Sequence, residues 1–199
     1  MEQQFDASKI GMWLFLATEV LLFGGLFVGF AMMQSRYPQD FFEAHHHLDK
    51  NLGFLNTVVL LISSFTMVMA VLSSSRSQKN KTVIYLLLTI LCACIFLGVK
   101  YVEYSAKIEH GLLPGNLFTN HEAPPGSHQF VFFSFYFMMT GLHGFHILCG
   151  IIALSWITWR AHKGEFSAAY NTPVDLVGLY WHLVDLIWIY LFPLLYLIT

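Results

Sequence analysis

Five long runs of residues almost free of charge decide what this chain can fold into: Ile10–Met33, Leu52–Leu72, Thr82–Val99, Gln129–Trp159 and Leu176–Thr199. Each is at least about 18 residues long, and a helix needs roughly 20 to cross about 30 Å of hydrocarbon. Lipid offers no water to main-chain N–H and C=O groups, so a spanning segment must satisfy them internally. Barrel strands would alternate polar and apolar residues over ~10 positions, which these runs do not. Composition agrees: 56% of the 199 residues are hydrophobic and 11% are charged, where a soluble domain carries about 25% charge. The sequence predicts an all-α, polytopic membrane protein. It forms one domain over 1–199, a bundle of five transmembrane helices at about 10–34, 52–73, 82–110, 129–159 and 176–198.

We expect the opening MEQQFDASK not to be a secretory signal, because a full-length span follows it and no short apolar core with a cleavage site does. Orientation is read from Lys and Arg. With the N-terminus inside, the inner segments carry Lys9, Arg76, Lys79, Lys81, Arg160 and Lys163. The outer ones carry Arg36, Lys50, Lys100 and Lys107, with the acids Asp40, Glu43, Asp49, Glu109 and Glu122. We expect the N-terminus inside and the C-terminus outside. The longest connections, 34–51 and 106–128, are polar loops; the second holds the breakers GLLPGN and APPGS. The third span continues as helix past the membrane through Tyr101, Glu103 and Tyr104. A net charge of −2 gives no reason to expect nucleic acid.

Few polar groups interrupt the spans. At 1.5 Å rise per residue, Glu19 lies about halfway along the first span, and Asp185 at a similar depth in the fifth, with His182 one turn nearer the inner surface. His143 and His146, in the fourth span, fall in the same half. A charge facing lipid costs roughly 3 kcal/mol or more, so these five groups are expected to turn inward, where carboxyl and imidazole can bond. Our expectation is that Glu19 and at least one histidine share an interior polar site. Burial there favours the neutral acid unless an imidazolium compensates. A proton relay or ion site is one reading; an interhelical hydrogen bond that fixes packing is the other. His143 or His146 facing His182 could also form a two-span haem site, although carboxyl partners and glycine contacts explain these residues more plainly. His45, His46 and His47 diverge in a polar loop, where adventitious or no metal binding is expected. His110, His121, His128 and His162 read as loop or interface residues. Cys92, Cys94 and Cys149 have no metal or redox spacing and read as small apolar fillers. Gly25 and Gly29, and Gly141, Gly144 and Gly150, suggest faces of close helix approach. Trp159, Tyr101 and Tyr196 suit an interfacial belt, and Trp181 and Trp188 share a face.

Four blocks, one per span, occur in order: MWLFLATEVLLFGGLF, LNTVVLLISS, SFYFMMTGLHGFHILCG and YWHLVDLIWIYLF. With KYVEY after the third span, they closely resemble subunit III of the haem–copper cytochrome c and quinol oxidases, in a five-helix bacterial form. The resemblance implies a non-catalytic subunit of a terminal oxidase in the bacterial inner membrane. It implies no cofactor bound by this chain, with haem and copper in partner subunits. It further implies association with catalytic subunit I, bound phospholipids, and support of proton uptake, oxygen access and stability. The family's carbodiimide-reactive glutamate falls on Glu19. Long members have seven helices, and this chain starts at what looks like the third, so no lipid-site residue is carried over. Two alternatives stand beside this reading: an accessory subunit of a quinol oxidase or nitric oxide reductase, and a stand-alone proton or ion transporter.

Overall fold

The computed structural model describes residues 2–113, 127–168 and 170–198, without the side chains of residues 2–6. The breaker segment at 114–126, with His121 and Glu122, lies outside the described residues, as does Thr199. Among the described residues six helices follow in order: α1 Glu2–Arg36, α2 Pro38–His45, α3 Lys50–Ser75, α4 Lys79–Glu109, α5 Gln129–Lys163 and α6 Thr172–Tyr196. All but α2 are long and apolar enough to cross a membrane. Among the described residues there is no strand; Ser167 and Tyr170 form an isolated bridge.

Local chemistry sets the ends. Asp49 caps α3, its Oδ1 accepting from Asn51 N at 2.8 Å and Leu52 N at 3.3 Å. Gly164, at φ 79°, takes the left-handed conformation that closes α5. Helix α2 corrects the polar-loop reading of 34–51. Pro38 sits in its first turn, and Phe41, Ala44 and His45 recur at helical spacing and are buried. His45 is therefore a buried helical residue, not a loop residue.

Helices α3 to α6 form a four-membered ring: α3 packs on α4 and α6, and α5 packs on the same two. Trp181, Trp188, Tyr136, Tyr196 and Phe96 fill its interior. Helix α1 lies outside the ring against α5 and α6, while α2 rests on α5. Among the described side chains of α1, the buried apolar residues are Leu16, Phe23 and Phe30, spaced seven apart, which makes one narrow seam. Leu14, Leu21 and Val28 are exposed on its other side.

That seam corrects the glycine reading. A Cβ on Gly150 would stand 2.5 Å from the Trp181 ring, so this glycine does permit close approach, and one on Gly29 would meet Phe135 at 3.3 Å. Gly25 and Gly144 have nothing within 4 Å. The cysteines are free; Cys92 and Cys149 are partly buried, but Cys94 is exposed and fills nothing.

Candidate functional site

The seam of α1 carries Glu19 to α5. Its Oε2 lies 2.9 Å from His146 Nε2, with the side chains 13% and 11% exposed. The approach is off the axis of a hydrogen bond, and Oε2 has no other partner. The other ring nitrogen, Nδ1, is 2.8 Å from the Leu142 carbonyl. A carbonyl only accepts, so Nδ1 carries a proton. A proton bridging Nε2 and Glu19 Oε2 would satisfy both atoms and leave the pair without net charge between apolar helices, where an uncompensated charge is costly. Tyr180 of α6 donates to the His146 carbonyl at 2.8 Å, and Phe23 packs edge-on to the imidazole at 5.5 Å between centroids. Three helices therefore meet at this pair.

The five polar residues expected at one level divide among three places. His143 is fully buried inside the ring, between Phe96 of α4 at 5.5 Å and Trp188 of α6 at 5.4 Å, and neither ring nitrogen has a partner. Asp185 is 3% exposed and lies beside the Ser64 hydroxyl of α3. His182 turns to α3, where Nδ1 meets Ser64 Oγ at 2.8 Å. The cause is angular. Residues three apart on a helix differ by about 60° in direction, enough to reach different neighbours.

The same divergence bears on metal and haem. His146 faces α1, His143 faces α4 and α6, and His182 faces α3, so no two of them form an opposed pair. Among the described residues, no group of three or more His, Cys, Asp or Glu side chains is placed to hold a metal ion. His45 hydrogen-bonds the Phe42 carbonyl through Nδ1. Burial lowers its pKa, against the raising effect of that bond. His128 stacks on Tyr37 at 4.1 Å and lies 3.5 Å from Asp40.

One buried charge cluster was not anticipated from the sequence. The end of α4, expected to emerge from the membrane, turns Lys100, Glu103 and Lys107 into the ring. Glu103 accepts from Lys100 at 2.7 Å, Lys107 at 3.1 Å and the Tyr196 hydroxyl at 2.5 Å. Lys100 also donates to Tyr196 at 2.8 Å and stands 4.6 Å from the Trp188 ring centroid. Spacing at i, i+3 and i+7 was the available signal, since it puts all three charges on one helix face.

Comparison with known proteins adds the following. A family profile described as cytochrome c oxidase subunit III matches residues 4–199. The chain is 30% identical to cytochrome c oxidase subunit 3 of Thermostichus vulcanus, over 98% of this chain and 89% of that protein. It is also 30% identical to quinol oxidase subunit 3 of Bacillus subtilis (strain 168), over 99% of this chain and 91% of that one. A heme-copper oxidase subunit I+III of Aeropyrum pernix is 27% identical over 97% of this chain, which covers 23% of that longer protein.

Proposed function

This chain belongs to the cytochrome c oxidase subunit III family, and from that premise we propose that it is the non-catalytic subunit III of a cytochrome c oxidase. In this reading it lies in a bacterial inner membrane, N-terminus inside, against catalytic subunit I. Haem and copper reside in partner subunits, and phospholipids are held by this one. The relative named subunit I+III supports a direct partnership of the two parts, since there they share one polypeptide. A quinol-oxidizing complex is the second reading, favoured by relatives named quinol oxidase subunit 3 at the same identity.

The observation that carries the role of this chain is the Glu19–His146 contact at 2.9 Å. It joins α1 to the bundle and keeps a proton at a membrane-embedded carboxyl–imidazole pair. Such a pair can take up or release a proton only as its surroundings change, which suits support of proton uptake next to a catalytic partner. The test is purification through a tag on this chain. The reading requires a co-purifying haem protein that oxidises cytochrome c, with Glu19→Gln preserving assembly but lowering sustained turnover. Quinol oxidation by the purified complex would establish the second reading. Isolation without any haem protein, together with proton flux in liposomes holding this chain alone, would make it a stand-alone transporter.

A further inference from the structure

Two hydroxyls that face outward from the bundle are satisfied by their own helices. Thr18 donates to the Phe15 carbonyl and Ser134 to the Phe130 carbonyl, at 2.7 Å each. His182 is different. Its Nδ1 meets Ser64 Oγ of α3 at 2.8 Å, and that bond holds the ring at the α3–α6 seam. Nε2 lies on the far side of the ring from its own main chain. It has no hydrogen bond among the described residues, and the side chain is partly exposed. The Ser64 hydroxyl also stands beside the Asp185 carboxyl, so it is not free to turn to Nε2. Helix geometry says which way the ring faces. Tyr180 bonds the His146 carbonyl of α5 and packs against Phe15 of α1. Residues two apart on a helix differ by about 200° in direction, so His182 faces away from α1 and α5.

Depth decides what can meet Nε2. At 1.5 Å rise per residue, His182 lies about 15 Å from the start of α6 and about 21 Å from its end. Water is excluded at that depth, and acyl chains neither donate nor accept. The surrounding surface is apolar. Leu61 and Val68 flank Ser64 at helical spacing on α3, and Leu186 and Ile189 follow His182 on α6; all four are exposed. The two rows edge a groove with a single hydrogen-bonding atom at its middle, which suits the side of one more helix. Polar side chains within a bilayer almost always face a bundle interior or pair with one another. The chemistry of the pairing group is also constrained. It must meet either tautomer of the imidazole and bring no charge into an apolar groove, which selects a hydroxyl or a carboxamide.

We propose that the outer α3–α6 groove receives a transmembrane helix of a neighbouring subunit, which presents a hydroxyl or carboxamide side chain to His182 Nε2. This rests on the reading of the chain as one subunit of a larger oxidase, and it assigns the face and the contact. The test is photocrosslinking in the native membrane, with benzoylphenylalanine placed at Leu61 and, separately, at Leu186. Both positions should capture the same transmembrane segment of a different chain, with Ser, Thr, Asn or Gln within one turn of the linked residue. His182→Leu should lower the crosslinking yield and the retention of that chain on purification roughly threefold to tenfold, the loss of one interhelical hydrogen bond. His182→Gln keeps a group that can donate or accept and should stay within about twofold. The crosslinks themselves are made with His182 in place, so they stand whether or not His182→Leu folds. Lipid adducts alone at both positions, a crosslink to a second copy of this chain, or a linked segment without such a side chain would overturn the groove while leaving the oxidase reading intact. Yield and retention unchanged in a folded His182→Leu variant would overturn the contact. A linked helix from a chain outside any haem-containing complex would keep the groove and overturn the oxidase reading.

Discussion

Replacing Glu103 with leucine should be among the most damaging single changes to this protein. The carboxylate is held by two ammonium groups and a phenol, at 2.7, 3.1 and 2.5 Å, with its side chain 2% exposed. Glu103→Leu removes the one acid and strands Lys100 and Lys107, whose side chains are 9% and 5% exposed. Breaking a buried ion pair by deleting one partner costs about 3–5 kcal/mol, most of it from the charge left behind. The lower end applies, because Lys100 retains the Tyr196 hydroxyl and the Trp188 ring. Neutral interhelical bonds in membranes average only about 0.6 kcal/mol, so the two origins are well separated. The assay is reversible unfolding in mixed detergent and dodecyl sulfate, followed by tryptophan fluorescence. A second step adds Lys100→Met. The double variant removes a stranded cation and should be more stable than Glu103→Leu alone. A loss below about 1 kcal/mol, or a double variant worse than the single, would refute the argument that stranded charge is the cost.

Other outcomes follow from packing and burial. Gly150→Leu drives a side chain into Trp181, where even a Cβ would be 2.5 Å away, and should cost about 1–3 kcal/mol in the same unfolding assay. His45 has its folded pKa lowered by burial. The unfolded chain then binds the proton more readily, so stability is full above about pH 6.5 and falls as the pH drops below it. His45→Gln should flatten that part of the stability–pH curve.

The spans were readable because charge marks where a helix leaves hydrocarbon, and the five runs contain the apolar parts of α1, α3, α4, α5 and α6. The same rule misread the end of α4. Lys100, Glu103 and Lys107 end an apolar run, and in a chain taken alone that signals water; mutual pairing lets them stay inside instead. Helix α2 escaped because eight residues with a leading proline give too little periodicity to separate from a loop. Partner choice was the hardest to read. Depth along a helix follows from counting, so Glu19 and His146 could be matched, but direction depends on how the helices rotate against each other. A 60° difference sent His143 to Phe96 and Trp188 while His146 met Glu19.

The central claim is that Glu19 and His146 hold one proton between them, and infrared spectroscopy reads it directly. The carbonyl stretch of a protonated carboxylic acid should be compared in the native complex, Glu19→Gln and His146→Leu. Without the imidazole, Glu19 has no cation to offset its charge and no ring nitrogen beside it, so His146→Leu should strengthen or shift a protonated-acid band that Glu19→Gln abolishes. A band unchanged in both intensity and position by His146→Leu, or absent from both the native protein and that variant, would contradict the shared proton.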